Sequence, residues 1–247
     1  MNIVFLGFIA SFIAGSATIL GALSVFFLRN VSDKFLDTSL GFAAGVMLSA
    51  TIFGLILPAI KIGGIYKTAL GILIGAAFFI LMEKAVPHIH RVAGVKGPPI
   101  QLNKVFLFIL AMTIHNFPEG LSVGVGFAQG NIMAGVVLAT GIGIQNIVEG
   151  LATAVCLLRN KNTLIRAFLI ASFTCVVEPI GGLLGVSIVS LGKFLIPYGL
   201  AFAAGAMLFV TSEEIIPETH SRGNAREATI GLILGFIVMM LLEYILA

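Results

Sequence analysis

Eight runs of about twenty or more apolar residues dominate this sequence, and no other feature limits its folding so severely. They fall at roughly 4–28, 37–60, 67–86, 104–128, 131–158, 165–190, 196–217 and 227–246. A helix of about 20 apolar residues crosses the hydrocarbon core of a bilayer, and it satisfies its own backbone hydrogen bonds while doing so. Composition agrees. The chain is 59% hydrophobic and only 10% charged, with a mean hydropathy of +1.12. A water-soluble domain carries about 25% charged residues, and 247 residues could not hide this much apolar surface in their own interior. The expected fold is all-α: a polytopic membrane protein of eight transmembrane helices, with residues 1–247 forming one transmembrane domain in a lipid bilayer.

The connections between the runs carry the orientation signal. Lys and Arg accumulate in cytoplasmic loops. The odd-numbered connections hold Arg29, Lys34, Lys84, Arg91, Lys96, Lys104, Arg159, Lys161, Arg166, Arg222 and Arg226, whereas the even-numbered ones hold Lys61, Lys67 and Lys193. Eleven against three puts the odd connections in the cytoplasm. With eight spans, both termini of this multi-pass chain then lie outside the cell membrane. The net charge of +3 is dispersed in these short connections and excludes a nucleic-acid surface. Met1-Asn2-Ile3-Val4-Phe5 has no basic n-region, so the first run is expected to be a span, not a cleaved signal. Cys156 and Cys175 lie in apolar surroundings and form neither a disulfide framework nor a CxxC motif. Trp is absent, leaving Tyr66 and Tyr198 as interfacial anchors.

Span two contains Phe42-Ala43-Ala44-Gly45-Val46-Met47-Leu48, and span seven contains Phe202-Ala203-Ala204-Gly205-Ala206-Met207-Leu208. In the topology above these helices run in opposite directions. Matching sequence on opposed helices marks an inverted repeat, here spans 1–3 and 6–8 around central spans 4–5. Transporters built this way bind their cargo near the bilayer midplane.

The polar residues inside the spans narrow the chemistry. A charge at the centre of a spanning helix costs roughly 2.5–3.5 kcal/mol on insertion scales and usually marks an ion or substrate path. Glu119, Glu149 and Glu178 lie mid-span, accompanied by His115, Asn116, Gln145 and Asn146. His115 and Glu119 are four apart and share one helix face. Gln145 and Glu149 repeat that spacing on the next span, after a tight turn at Gln129-Gly130-Asn131. Imidazole, carboxylate and amide oxygens converging in this way suit a borderline divalent metal better than an all-oxygen site does. No Lys or Arg lies near the carboxylates in these spans to balance them, so protons or a multivalent cation must. Pro118 interrupts the backbone ladder beside them and is expected to kink span four. Met47, near the middle of span two, is by itself an ordinary core methionine, although a thioether is also a soft metal ligand.

The paired motifs His115-Asn116-Phe117-Pro118-Glu119-Gly120 and Gln145-Asn146-Ile147-Val148-Glu149-Gly150 resemble those of the ZIP (Zrt/Irt-like) family of divalent-metal transporters. The likeness is nearest to the family's prokaryotic GufA-like branch and extends over essentially the whole chain. It implies a binuclear site at mid-membrane. One ion would be held by Met47, His115, Glu119, Gln145 and Glu149. The other would be held by Asn116, Glu119, Asn146, Glu149 and Glu178, with Glu119 and Glu149 bridging. It also implies import of Zn²⁺ as transported substrate, with Fe²⁺, Mn²⁺ and Cd²⁺ as alternatives, through an elevator-like motion of the helices bearing the motifs. Two positions depart from the family pattern. Gln145 stands where many members have His, and Val148 replaces a proline.

Glu213, Glu214, His88 and His90 are expected on the cytoplasmic side, where they suit an exit path or simply a solvated surface. Asp33 and Asp37 read as surface charge. No Walker motif is present, so coupling to ATP hydrolysis is not expected. Two other functions stay open at this point: a membrane-embedded metalloenzyme, against which the absence of HExxH counts, and a proton- or Na⁺-coupled carrier of an organic solute. A homodimer is also left open.

Overall fold

The computed structural model describes residues 2–28, 30–90, 94–98 and 104–247; the side chains of Ile89, His90, Val95 and Lys104 lie outside this description, as do Arg29 and Arg91. Eight helices long and apolar enough to cross a membrane succeed one another: α1 (Ile3–Phe26), α2 (Asp33–Gly63), α3 (Ile65–Ala85), α4 (Val105–Ala128), α5 (Ile132–Arg159), α6 (Leu164–Ser190), α7 (Lys193–His220) and α8 (Ala225–Leu246). The expected all-α architecture holds. Between α3 and α4 lies a small antiparallel hairpin, β1 (His88–His90) and β2 (Gly94–Lys96), packed against α4.

Local chemistry sets the helix ends. The side chains of Asn2, Ser32, Asn131 and Thr163 each accept a hydrogen bond from a backbone N–H in the first turn that follows, relieving donors that a helix start leaves unpaired. Gly130, at φ +94°, makes the tight α4–α5 connection that a Cβ would strain. α4 runs through Pro118 without a break. α2 and α7 are longer than the apolar runs suggested, and each contains a wide π-helical segment, Ala50–Ile56 and Thr211–Ile215, four residues beyond Met47 and Met207 at its first threonine.

Glycine lets these helices approach backbone to backbone, and the close approaches repeat. A Cβ built on Gly75 would lie 2.1 Å from the carbonyl oxygen of Phe202, and one on Gly235 would lie 2.0 Å from that of Phe42. The same exchange relates Gly205 against Ile72 (2.1 Å) to Gly45 against Leu232 (1.9 Å). Every member moves by 160 positions, as Phe42 does to Phe202. The order of contacts makes α2 parallel to α8 and α3 parallel to α7. The first helices of the two repeats, α1 and α6, cross antiparallel, with Gly7 against Val186 and Gly15 against Glu178. Three helices are thus repeated with inverted direction, and α4 and α5 lie between them.

Candidate metal centre

Helix periodicity stacks His115 over Glu119 on α4 and Gln145 over Glu149 on α5, and the α4–α5 hairpin turns these faces toward each other. The imidazole Nε2 of His115 lies 3.4 Å from Glu119 Oε1 and 3.3 Å from Glu149 Oε2. Ligand-type atoms of His115, Glu119 and Glu149 all fall within 4.8 Å of one another. Gln145 Nε2 donates to Glu119 Oε1 at 2.6 Å. Asn146 Nδ2 donates to Glu178 Oε2 at 2.8 Å and to the Ala14 carbonyl at 3.0 Å, which brings α6 and α1 into the cluster. On the other side Asn116 Nδ2 donates to the Thr174 carbonyl at 3.1 Å. Every one of these side chains is buried.

What remains unpaired is informative. His115 Nε2, Asn116 Oδ1, Glu119 Oε2, Gln145 Oε1, Asn146 Oδ1, Glu149 Oε1 and Glu178 Oε1 have no hydrogen-bond partner among the described residues. Leaving one such group unsatisfied in the interior costs about 1–3 kcal/mol, more if it is charged. Proteins rarely gather seven by accident. The amide N–H groups are spent on carboxylates and carbonyls, so the free atoms are almost all lone pairs. Such a set matches a desolvated cation. Met47 is also fully buried; its Sδ lies 3.8 Å from Thr211 Oγ1.

Toward the C-terminal end of α7 the cluster reaches the surface. His115 Nδ1 is 3.4 Å from Glu214 Oε2. The Glu214 side chain is 12% exposed and that of Glu213 47%. The π-helical segment carries both glutamates. Lys96 on β2 lies 2.6 Å from Glu213 and 3.6 Å from Glu83. Burial opposes its charge, but the Glu213 hydrogen bond and the Glu83 carboxylate push its pKa above the usual lysine value. His88 is buried, with Nε2 3.9 Å from Glu83 and Nδ1 2.7 Å from the Val86 carbonyl. It is therefore a buried residue of the hairpin itself, not part of a solvated surface. The side chain of His90 lies outside the described residues.

In the opposite direction Leu55 and Leu138, about two helical turns from Met47 and Gln145, and Met239, against Gly141, are fully buried in one apolar core. Beyond them opens a cavity of about 850 Å³ lined by Phe53, Leu57, Lys61, Gln129, Glu243 and Tyr244.

One expectation is corrected. Asp37 is not surface charge: it is fully buried, paired with Arg222 and accepting from Asn224 Nδ2 at 2.9 Å. Arg222 also donates to Glu218 at 2.9 Å. Burial disfavours the Arg222 charge, yet Glu218 and Asp37 hold its pKa above the ordinary guanidinium value. Asp33 is exposed as expected and pairs with Arg159 at 2.5 Å. Sequence reasoning missed Lys96 and Thr211 as neighbours of the cluster. Lys96 looked like any loop lysine, whereas the repeat could have drawn attention to Thr211 as the counterpart of Thr51.

Known proteins share this chain's sequence over most of its length. A family model described as the ZIP zinc transporter matches residues 100–243. The chain is 42% identical to a protein named zinc transporter GufA of Myxococcus xanthus, over 96% of this chain and 97% of that protein. It is 41% identical to zinc transporter ZIPB of Bordetella bronchiseptica, over 92% of this chain and 77% of that protein. Human zinc transporter ZIP11 is 32% identical, over 97% of both chains.

Proposed function

The chain belongs to the ZIP family, and from that premise we propose that it carries Zn²⁺ across the cell membrane through the cluster at the α4–α5–α6 crossing. It is a multi-pass membrane transporter and not an enzyme. We read residues 1–247 as one transporter domain that imports its ion, with both termini outside.

The observation that carries this reading is the set of buried lone pairs without donors. Three carboxylates lie together with no Lys or Arg among the described residues in contact, and removing each from water costs several kcal/mol. A divalent ion relieves that cost and uses the unpaired atoms. We assign one ion to Met47, His115, Glu119, Gln145 and Glu149. We assign a second to Asn116, Glu119, Asn146, Glu149 and Glu178, so that Glu119 and Glu149 are shared. Imidazole and thioether suit Zn²⁺ and Cd²⁺ at the first position; the all-oxygen second position is harder. From the first position the ion passes to Glu214, whose carboxylate faces the far nitrogen of the same imidazole, and then to the exposed Glu213. The apolar layer of Leu55, Leu138 and Met239 blocks leakage in the opposite direction, so transport requires the α4–α5 group to move past it.

Flux measured in proteoliposomes with a panel of divalent ions, with and without a pH gradient, tests this function. Chelator-sensitive uptake of Zn²⁺ is expected, with Cd²⁺ competing. Uptake of no divalent ion by correctly oriented protein would overturn it.

A further inference from the structure

The central pair of helices obeys the same exchange as the flanking repeats, with a shift of 30 positions, as from Asn116 to Asn146. A Cβ on Gly120 would meet the Glu178 carbonyl at 2.0 Å, and one on Gly150 would meet the Thr18 carbonyl at 2.1 Å. Gly181 meets Phe117 at 2.6 Å, and Gly21 meets Ile147 at 1.9 Å. Asn116 donates to Thr174 and Asn146 to Ala14, at 3.1 and 3.0 Å. The cluster therefore straddles a near-two-fold axis. His115 is exchanged with Gln145, Glu119 with Glu149, Asn116 with Asn146 and Met47 with Met207. Glu178 is exchanged with Thr18, a residue that no motif singles out.

Thr18 behaves unlike its neighbours. It is 3% exposed, and its hydroxyl has no hydrogen-bond partner among the described residues. A threonine buried in a helix ordinarily returns its proton to the carbonyl four residues back. Thr51 does this to Met47 and Thr211 to Met207, each at 2.7 Å. The carbonyl that Thr18 would use belongs to Ala14, and it accepts from Asn146 instead. Across the axis, Glu178 faces Asn146 at 2.8 Å. The exchanged partners are Thr18 and Asn116, whose Oδ1 is likewise unpartnered.

We propose that Thr18 is a further residue of the site, an oxygen donor to the second divalent ion on the side opposite Glu178. This rests on the two-ion reading above. The hydroxyl stays protonated and offers a lone pair, either to the ion or to a water on it. The difference between the two sides has a steric cause. A Cβ on Gly15 would come within 3.0 Å of the Glu178 carboxyl carbon, so glycine there makes room for a carboxylate. The exchange puts Cys175 in the place of Gly15, which leaves room for a side chain the size of threonine. One flank of the second ion is therefore anionic and the other neutral.

Equilibrium binding of Zn²⁺, Mn²⁺ and Cd²⁺ to the purified full chain in nanodiscs, with ions per chain counted by elemental analysis, tests the proposal. Thr18→Val and Thr18→Ala are expected to weaken the second ion about tenfold, in line with losses at ligand-supporting residues, and to leave the first unchanged. Thr18→Ser should restore it. The loss should be larger for Mn²⁺ than for Cd²⁺, because a hydroxyl is a hard donor; a packing defect would not produce that bias. Should Thr18→Val fail to fold, the Ser and Ala variants, both smaller than Thr, still isolate the hydroxyl. Equal binding of the second ion by wild type, Val and Ala, or by Ser and Ala, overturns the assignment of Thr18. Fewer than two ions on the unsubstituted protein would instead overturn the two-ion reading, and the assignment with it.

Discussion

Asp33 and Asp37 stand four residues apart at the start of α2, yet burial gives them different weights. The Asp33–Arg159 pair is half exposed on both sides, and such pairs contribute about 0–1 kcal/mol. Asp37 is fully buried against Arg222, where removing one partner strands the other charge. Asp37→Ala should cost on the order of 3 kcal/mol, and Asp33→Ala less than about 1 kcal/mol; thermal unfolding in detergent distinguishes them. A base whose folded pKa is raised gives stability that is complete below its ordinary value and is lost only as pH rises through the folded one. Arg222 and Lys96 are both of this kind, so their contribution should be flat between about pH 6 and 9. A destabilisation by Lys96→Met or Arg222→Met that changes steeply within that window would contradict these assignments. His115, Glu119, Glu149 and Glu178 were legible in the sequence because charge inside an apolar run is costly enough to need a reason. Asp37 was not, because its partner is 185 positions away. Thr18 was not either, because a helical threonine ordinarily hides its hydroxyl on its own backbone.

At the scale of helices, glycine contacts hold the site together. Gly120→Ala and Gly150→Ala would drive a methyl group into a carbonyl oxygen at 2.0 and 2.1 Å, forcing α4 from α6 or α5 from α1. Each should lower the unfolding temperature and abolish ordered assembly of the cluster, read as lost Zn²⁺ binding. Gly143 is the control. Its nearest neighbour would be 3.7 Å from an added Cβ, so Gly143→Ala should be neutral or stabilise by about 0.5–1 kcal/mol. The eight spans were readable from hydropathy alone, with ends displaced by a few residues. The π-helical segments of α2 and α7 were not readable, because an extra residue in a turn leaves no mark on composition. They matter nonetheless: the one in α7 carries Glu214 to His115 and Glu213 to Lys96.

For the whole molecule, a seven-residue match in spans two and seven, identical at six positions, extends to a near-two-fold relation that includes the cluster itself. Sequence showed that relation only where both copies kept the same residues. The exchange of Glu178 with Thr18 became visible through backbone contacts. We read the orientation from the charge of the connections. In a chain with Cys156 and Cys175 replaced, single cysteines at Lys61 or Lys193 should react with an impermeant reagent from outside, and those at Lys161 or Arg226 only from inside. The reverse pattern would invert the topology and the direction of transport. The central claim is that a cation shared by Glu119 and Glu149 is what this protein moves. Zn²⁺ uptake into proteoliposomes bearing equal amounts of wild-type and Glu149→Ala protein tests it most directly. The wild type should fill the vesicles and the variant should not rise above empty liposomes; uptake by Glu149→Ala at the wild-type rate would contradict the account.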